Sequence, residues 1–220
     1  MYIQLNGQVL QYEKDGEGSP IILLHGNGES HEIFDVLMPE LAKDYTVYAV
    51  DSRGQGGSAT PKSYHYADMA QDVVNFITSL SIDHPTLVGY SDGGIIALLV
   101  AMKHSELLSS IVICGANLTP KGLIGSALRQ IKKEYKKTSS PLVKLMLEEP
   151  NICDWQLKTI TIPVLVCTGS DDIIKPKETK AIASNIPNAR LHIFQGETHG
   201  SYVKHTAKLA PVIHQFLSRK

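Results

Sequence analysis

Gly89-Tyr90-Ser91-Asp92-Gly93-Gly94 decides the fold of this chain, because of what stands on either side of it. Before it, Thr86, Leu87 and Val88 form a short apolar segment that reads as a strand. After it, Ile95 to Met102 is apolar all round, as suits a helix buried on every side. A strand that passes into a helix within so few residues turns sharply, and glycines are needed where a Cβ would collide with neighbouring backbone. Such a turn lifts the Ser91 hydroxyl above the sheet and aims the first N–H groups of the helix at the same spot. Those groups carry the positive end of the helix dipole, which suits a negative charge developing on oxygen. The pattern G-x-S-x-G is weak by itself; the strand before it and the helix after it are what raise it.

Outward from this turn, strands and helices alternate. Towards the N-terminus, Pro20 to Leu24 is a continuous apolar run that reads as a fully buried strand, ending in His25-Gly26-Asn27-Gly28. The residues from Tyr2 to Tyr12 surround Asn6-Gly7, a two-residue hairpin signal. Thr46 to Val50 is a further strand, and Ala70, Val73, Val74 and Ile77 share one helix face. Towards the C-terminus, Ile111–Cys114, Pro163–Cys167 and Leu191–Phe194 read as strands. Glu178 to Ser184 reads as a helix, and Leu209, Val212, Ile213 and Phe216 mark a last amphipathic one. The alternation predicts an α/β fold: one domain over residues 1–220, with a mostly parallel eight-stranded sheet and helices on both faces. In such sheets the functional loops lie at the carboxyl ends of the strands.

Composition narrows the classes of function. With 220 residues the chain can bury a sizeable core without disulfides or metals, and 43% hydrophobic residues is ordinary for a folded domain. A net charge of −1 gives no global pull towards nucleic acid or an anionic membrane, so neither is expected as a partner. The cysteines, Cys114, Cys153 and Cys167, form neither a zinc pattern nor a disulfide framework and read as free thiols. Polar Gln4, Asn6 and Gln8 interrupt the first ten residues, and Ile95–Met102 is far too short for a bilayer, which takes about 20 residues. The expectation is a cytoplasmic protein whose partner is a small molecule. Oligomeric state is not legible in the sequence.

A serine hydroxyl is a poor nucleophile at neutral pH and needs a base, which itself needs an orienting acid. In folds that present the serine on such a turn, the chain order is serine, acid, histidine. Of nine histidines, only His192, His199, His205 and His214 come late enough. His192 alternates within a strand, and His205 and His214 fall on the last helix. His199 sits in the polar loop Gly196-Glu197-Thr198-His199-Gly200, between the last strand and the last helix, and is the favoured base. The acid should follow the strand Pro163–Cys167, where Asp171 and Asp172 stand side by side; spacing alone does not choose between them. An oxyanion hole takes one N–H after the serine and one from an earlier loop. Asp92 and Asn27 fill those places.

Taken together, these segments make the chain resemble the α/β-hydrolase superfamily over nearly its whole length. His25-Gly-Asn-Gly28 resembles its oxyanion loop, Asp51-Ser-Arg-Gly-Gln-Gly-Gly-Ser58 its D-x-R-G-x-G-x-S loop, and Gly89–Gly94 its nucleophile elbow. Gly169-Ser-Asp-Asp172-Ile-Ile-Lys-Pro176 resembles its acid loop, which selects Asp172, and Gly196-Glu-Thr-His199 resembles its histidine loop. The resemblance implies a catalytic triad of Ser91, Asp172 and His199. It also implies hydrolysis of a small carboxylic ester through an acyl-enzyme, with no cofactor and no metal. Members that use an aspartate nucleophile, such as haloalkane dehalogenases and epoxide hydrolases, are set aside by Ser91. Thioesters, lactones, amides and C–C bonds remain alternative substrates of the same triad, and a slow-turnover ligand receptor is an alternative of another class.

Residues 117–159 interrupt the alternation and occupy the superfamily's cap position as a short helical insertion. Ile124, Leu128, Ile131 and Tyr135 form an apolar stripe at helical spacing, and Pro141 to Leu147 is a second helical piece. Leu118, Leu123, Met146 and Trp155 are candidates for an acyl pocket. Lys121, Arg129, Lys132, Lys133, Lys136, Lys137 and Lys144 stand against Glu134 alone between residues 118 and 147. That run reads first as a solvated helix face, and second as an attractor of anionic substrates.

Overall fold

The computed structural model describes residues 1–218. In chain order the strands are β1 (Tyr2–Leu5), β2 (Gln8–Asp15), β3 (Ser19–Leu24), β4 (Tyr45–Val50), β5 (Thr86–Tyr90), β6 (Ser110–Cys114), β7 (Val164–Asp171) and β8 (Ala189–Thr198). The α-helices are α1 (Leu37–Leu41), α2 (Tyr66–Ser79), α3 (Asp92–His104), α4 (Gly125–Thr138), α5 (Pro141–Glu148), α6 (Asp154–Leu157), α7 (Pro176–Asn185) and α8 (Ala210–Leu217). The strands form one open sheet in the order β1-β2-β4-β3-β5-β6-β7-β8. β1 and β2, and β2 and β4, pair antiparallel, and every later pair is parallel. The expected hairpin is present, with Asn6 and Gly7 both at positive φ (30° and 89°), as a tight turn of this hand requires.

Alternation along the buried strands separates two cores. Ile22, Leu24 and Leu87 face one side, with Phe76 of α2, Leu98 of α3 and Ile182 of α7. Ile21, Leu23 and Val88 face the other, with Leu37 of α1 and Ile213 of α8. A strand covered on both faces has no polar side to show, which is why β3 and β5 read as continuous apolar runs. α3 lies between sheet and helices, and its residues 92–98 are all buried.

Two strands run longer than their apolar stretches. β7 continues through Thr168 to Asp171 and β8 to Thr198, pairing across an irregularity between Gly169 and Asp171. β8 is an edge strand, so polar residues are tolerated on it. The segment 117–159 leaves the sheet after β6 and returns at β7, carrying α4, α5 and α6. Among the described residues, no helix is long and apolar enough to cross a membrane.

Candidate active site

Ser91 stands between β5 and α3 with φ 52° and ψ −114°, a backbone conformation that L-residues rarely adopt. The turn is held by close backbone approach. A Cβ on Gly89 would lie 2.1 Å from the Gly93 carbonyl oxygen, and one on Gly93 2.1 Å from that of Leu24. Glycine is required at both positions, and their absence of side chains lets α3 start directly above the sheet.

Three side chains from distant parts of the chain meet here. His199 Nε2 lies 3.1 Å from Ser91 Oγ, and His199 Nδ1 lies 2.7 Å from Asp172 Oδ1. A carboxylate only accepts, so Nδ1 carries the proton and Nε2 is left to accept from the serine hydroxyl. Asp172 is fixed in turn: its Oδ1 accepts from the Ile174 N–H at 2.9 Å and its Oδ2 from the Thr168 hydroxyl at 3.1 Å. Burial pushes the Asp172 carboxyl up. The hydrogen bond and charge of His199, the Ile174 N–H and the Thr168 hydroxyl outweigh that, and hold it below the usual carboxylate value. Asp171, its neighbour, is in β7 and makes no such contact. The Tyr90 ring packs 5.1 Å from the imidazole, centroid to centroid. Below the imidazole lies Gly115 (φ 63°), where a Cβ would come within 2.8 Å of the ring.

The other late histidines are elsewhere. His192 packs on Phe194 within β8. His205 pairs with Asp35 at 2.9 Å in the turn before α8, not on the last helix as its sequence position suggests; the helix starts only at Ala210. His214 faces Asp44.

The N–H groups around Ser91 divide into committed and free. Gly26 N–H donates to Glu29 Oε2, Gly28 N–H to Gln55 Oε1, Ser91 N–H to the Cys114 carbonyl and Gly93 N–H to the His25 carbonyl. Among the described residues, the N–H groups of Asn27 and Asp92 have no internal acceptor. Those two are the donors expected from the sequence. The loop bearing Asn27 is braced by His25, whose Nδ1 donates to the Gly26 carbonyl and whose Nε2 accepts from the Ser52 N–H. Burial lowers the His25 pKa, which keeps this neutral tautomer in place. The D-x-R-G-x-G-x-S loop serves the same end: Gln55 holds Gly28, Asp51 accepts from the His31 and Gly57 N–H groups, and Arg53 forks onto Asp72 at 2.6 and 2.7 Å.

A cavity of about 610 Å³ opens over Ser91 and His199. Its outer wall comes from the insertion: Ala127 and Ile131 of α4, with Leu142, Val143 and Met146 of α5. Of the acyl-pocket candidates, only Met146 lines it. Leu118 and Leu123 are buried in packing between insertion and sheet. Trp155 is 67% exposed on α6, away from the cavity, because the four-residue helix presents it to solvent. Leu142, Val143, Ile173 and Tyr90 line the cavity without having been singled out; their only sequence signal is adjacency to the motifs and to the insertion's helices. None of the seven cations lines it, and its charged lining residues are Glu29 and Glu134. Arg129, Lys132, Lys133, Lys136 and Lys137 lie on the exposed side of α4, which is the solvated face. A larger depression, about 910 Å³, lies around Glu13, His31, Asp35 and His205, and no serine or cysteine lines it.

An open, mostly parallel sheet with a serine raised at the end of a central strand, facing an imidazole and a carboxylate, defines a class: the hydrolases built on this architecture. The chain belongs to the alpha/beta hydrolase fold family, whose model matches residues 19–143. Serine hydrolase BPHL of Homo sapiens is 28% identical over 249 residues, covering 98% of this chain and 85% of that protein. The 2-hydroxymuconate semialdehyde hydrolase of Pseudomonas sp. (strain CF600) is 26% identical over 251 residues, covering 92% of this chain and 88% of the other. The solved structure of a meta-cleavage product hydrolase from Pseudomonas fluorescens IP01 superposes with a TM-score of 0.83 at 22% identity. That match covers 100% of this chain and 97% of the other, and at this identity it speaks for the fold alone.

Proposed function

We propose that this hydrolase cleaves a small carboxylic ester through an acyl-enzyme formed on Ser91. The observation that carries the reading is the unbroken chain from Ser91 Oγ through His199 to Asp172, set beside two uncommitted N–H groups. His199 Nε2 takes the hydroxyl proton as Ser91 Oγ bonds to the carbonyl carbon. The carbonyl oxygen gains the displaced electron pair and is held by the N–H groups of Asn27 and Asp92. On collapse the bond to the leaving alcohol breaks, and His199 gives its proton to that oxygen. Water then adds to the acyl carbon while passing a proton to Nε2, the Oγ–acyl bond breaks, and the proton returns to Ser91. Asp172 holds the imidazole in the required tautomer and stabilises its charged form. Removing one oxyanion donor of this kind typically costs about 10²–10³ in rate. The apolar wall of Ile131, Leu142, Val143 and Met146 suits the acyl group of the substrate.

Turnover of a p-nitrophenyl ester series from acetate to octanoate tests this, together with labelling by a fluorophosphonate probe. The wild type turns over and is labelled; Ser91→Ala does neither. Labelling with negligible turnover on every ester would sink the esterase reading in favour of a slow receptor. Turnover surviving in Ser91→Ala would sink the nucleophile itself. The same panel includes a thioester, a lactone, an amide and 2-hydroxymuconate semialdehyde, because a 26% identical relative is named for the last. A preference for one of these by tenfold or more in kcat/KM would replace the ester as substrate.

A further inference from the structure

Asn27 sits where three segments meet. Its carboxamide nitrogen donates to Asp92 Oδ2 at 2.8 Å and to the Leu142 carbonyl at 3.1 Å. A carboxamide has two N–H bonds, and both are in use. Asp92 opens α3 behind the nucleophile, and Leu142 lies in the first turn of α5. One side chain therefore ties the oxyanion loop to the elbow, and both to the insertion. The two residues joined by the first bond are the same two whose backbone N–H groups are uncommitted. Asp92 is only 4% exposed. Burial pushes its carboxyl up to about 6, against the bonds from Asn27 and Tyr66. Without the Asn27 donor, a buried carboxylate would keep fewer partners than its charge needs.

We propose that the Asn27 carboxamide is a positioning clasp: through Asp92 it fixes the spacing of the two oxyanion donors, and through Leu142 it makes that spacing follow the seat of α5. The inference rests on the serine-hydrolase reading above. Its consequence concerns the acyl group. Leu142, Val143 and Met146 line the cavity, so a chain that fills it bears on the helix whose carbonyl Asn27 grips. Occupancy of the acyl wall is then felt at the oxyanion hole. Longer acyl chains should raise kcat and not only lower KM.

Two variants separate the two arms. Asn27→Ala removes both. The double variant Asn27→Asp with Asp92→Asn reverses the first bond, the new amide donating to the new carboxylate, while the carboxylate at 27 has no hydrogen for the Leu142 carbonyl. Kinetics on p-nitrophenyl acetate, butyrate and octanoate are compared with the wild type, with near-ultraviolet circular dichroism as the check on folding. The expected result is a fall in kcat of about 10–10²-fold for Asn27→Ala with KM for the acetate nearly unchanged, as suits donors misplaced by up to about 1 Å rather than removed. The double variant recovers most of kcat on the acetate but loses the rise of kcat with chain length. Asn27→Ala within twofold of wild-type kcat, with Ser91→Ala inactive, would overturn the clasp and leave the hydrolase reading intact. A double variant as slow as Asn27→Ala would overturn the elbow arm, and one that keeps the wild-type chain-length dependence would overturn the α5 arm. If Asn27→Ala does not fold, Asn27→Gln, which carries both hydrogens one methylene too far out, takes its place with the same expected loss of kcat.

Discussion

The rim of the sheet and the insertion above it are built in opposite ways. At the rim, Ser91, His199, Asp172, His25, Asp51 and Gln55 each hold or are held by hydrogen bonds to a neighbouring loop. In the insertion, α4 has no buried residue, and no ion pair joins Arg129, Lys132, Lys133, Lys136 or Lys137 to another described residue. Several bonds tie the insertion to the rest: Leu118 N–H to Glu178 Oε2, Ile124 N–H to the Ile173 carbonyl, Lys175 N–H to the Gly122 carbonyl, Glu149 to the Tyr66 N–H, and Asn27 to Leu142. Bond making needs groups placed to within fractions of an ångström, and the braced rim supplies them. The insertion instead brings apolar side chains, Ala127, Ile131, Leu142, Val143 and Met146, to the outer wall of the cavity.

Four variants break or sharpen this contrast. Asp172→Asn strikes the rim hardest, since it leaves the geometry but favours the wrong imidazole tautomer; kcat should fall by about 10⁴-fold. The same variant has a signature in stability. A carboxyl held below its ordinary value adds stability above pH ~4 that is lost as pH falls through the lowered value. The difference in Tm between wild type and variant should therefore shrink in acid, and a difference that grows on acidification would contradict the assignment. Next, Gly115→Ala places a methyl against the His199 ring at a backbone φ of 63°. It should lower kcat/KM by roughly 10–10²-fold through displacement of the base, while unchanged kinetics would mean the imidazole has room to spare. On the insertion side, Met146→Trp fills part of the acyl wall and should move the preferred ester towards shorter chains by about tenfold in kcat/KM, with kcat on the acetate little altered. A uniform loss on every ester would instead make Met146 part of the rigid rim. The smallest effect belongs to the outer face of α4: neutralising Lys132, Lys133, Lys136 and Lys137 to Gln should leave kcat within about twofold and stability within about 0.5 kcal/mol. A salt-sensitive loss confined to carboxylate-bearing esters would show that this face steers anionic substrates after all.

The same contrast decides what could be read in advance. Ser91, Asn27, Asp92 and His199 belong to segments where backbone geometry dictates residue type, so glycines and loop lengths announce them. Asp172 needed the longer pattern ending at Pro176, because its competition with Asp171 is settled only by which side chain meets Thr168 and Ile174. In the insertion, by contrast, any apolar residue at helical spacing reads alike, and whether it faces cavity, core or water is fixed by how the helices pack. Leu118, Leu123 and Met146 therefore carry the same signal and end in different places, and exposed Trp155 carries a misleading one. α1 leaves no signature for a different reason: Leu37–Leu41 is barely one turn and contains Pro39. The far end of β8 is polar because an edge strand has water on one side, and that of β7 because it runs past the last residue of β6 and pairs there with β8 alone.

Ser91 carries one further consequence. Its main chain is parked in a region that every residue except glycine enters only under duress, at a cost on the order of 1–3 kcal/mol. Reactivity and durability are thus in tension at a single residue. Ser91→Gly should melt at a higher temperature than the wild type, and the gap between the two would measure how much resilience this fold gives up to keep one hydroxyl raised.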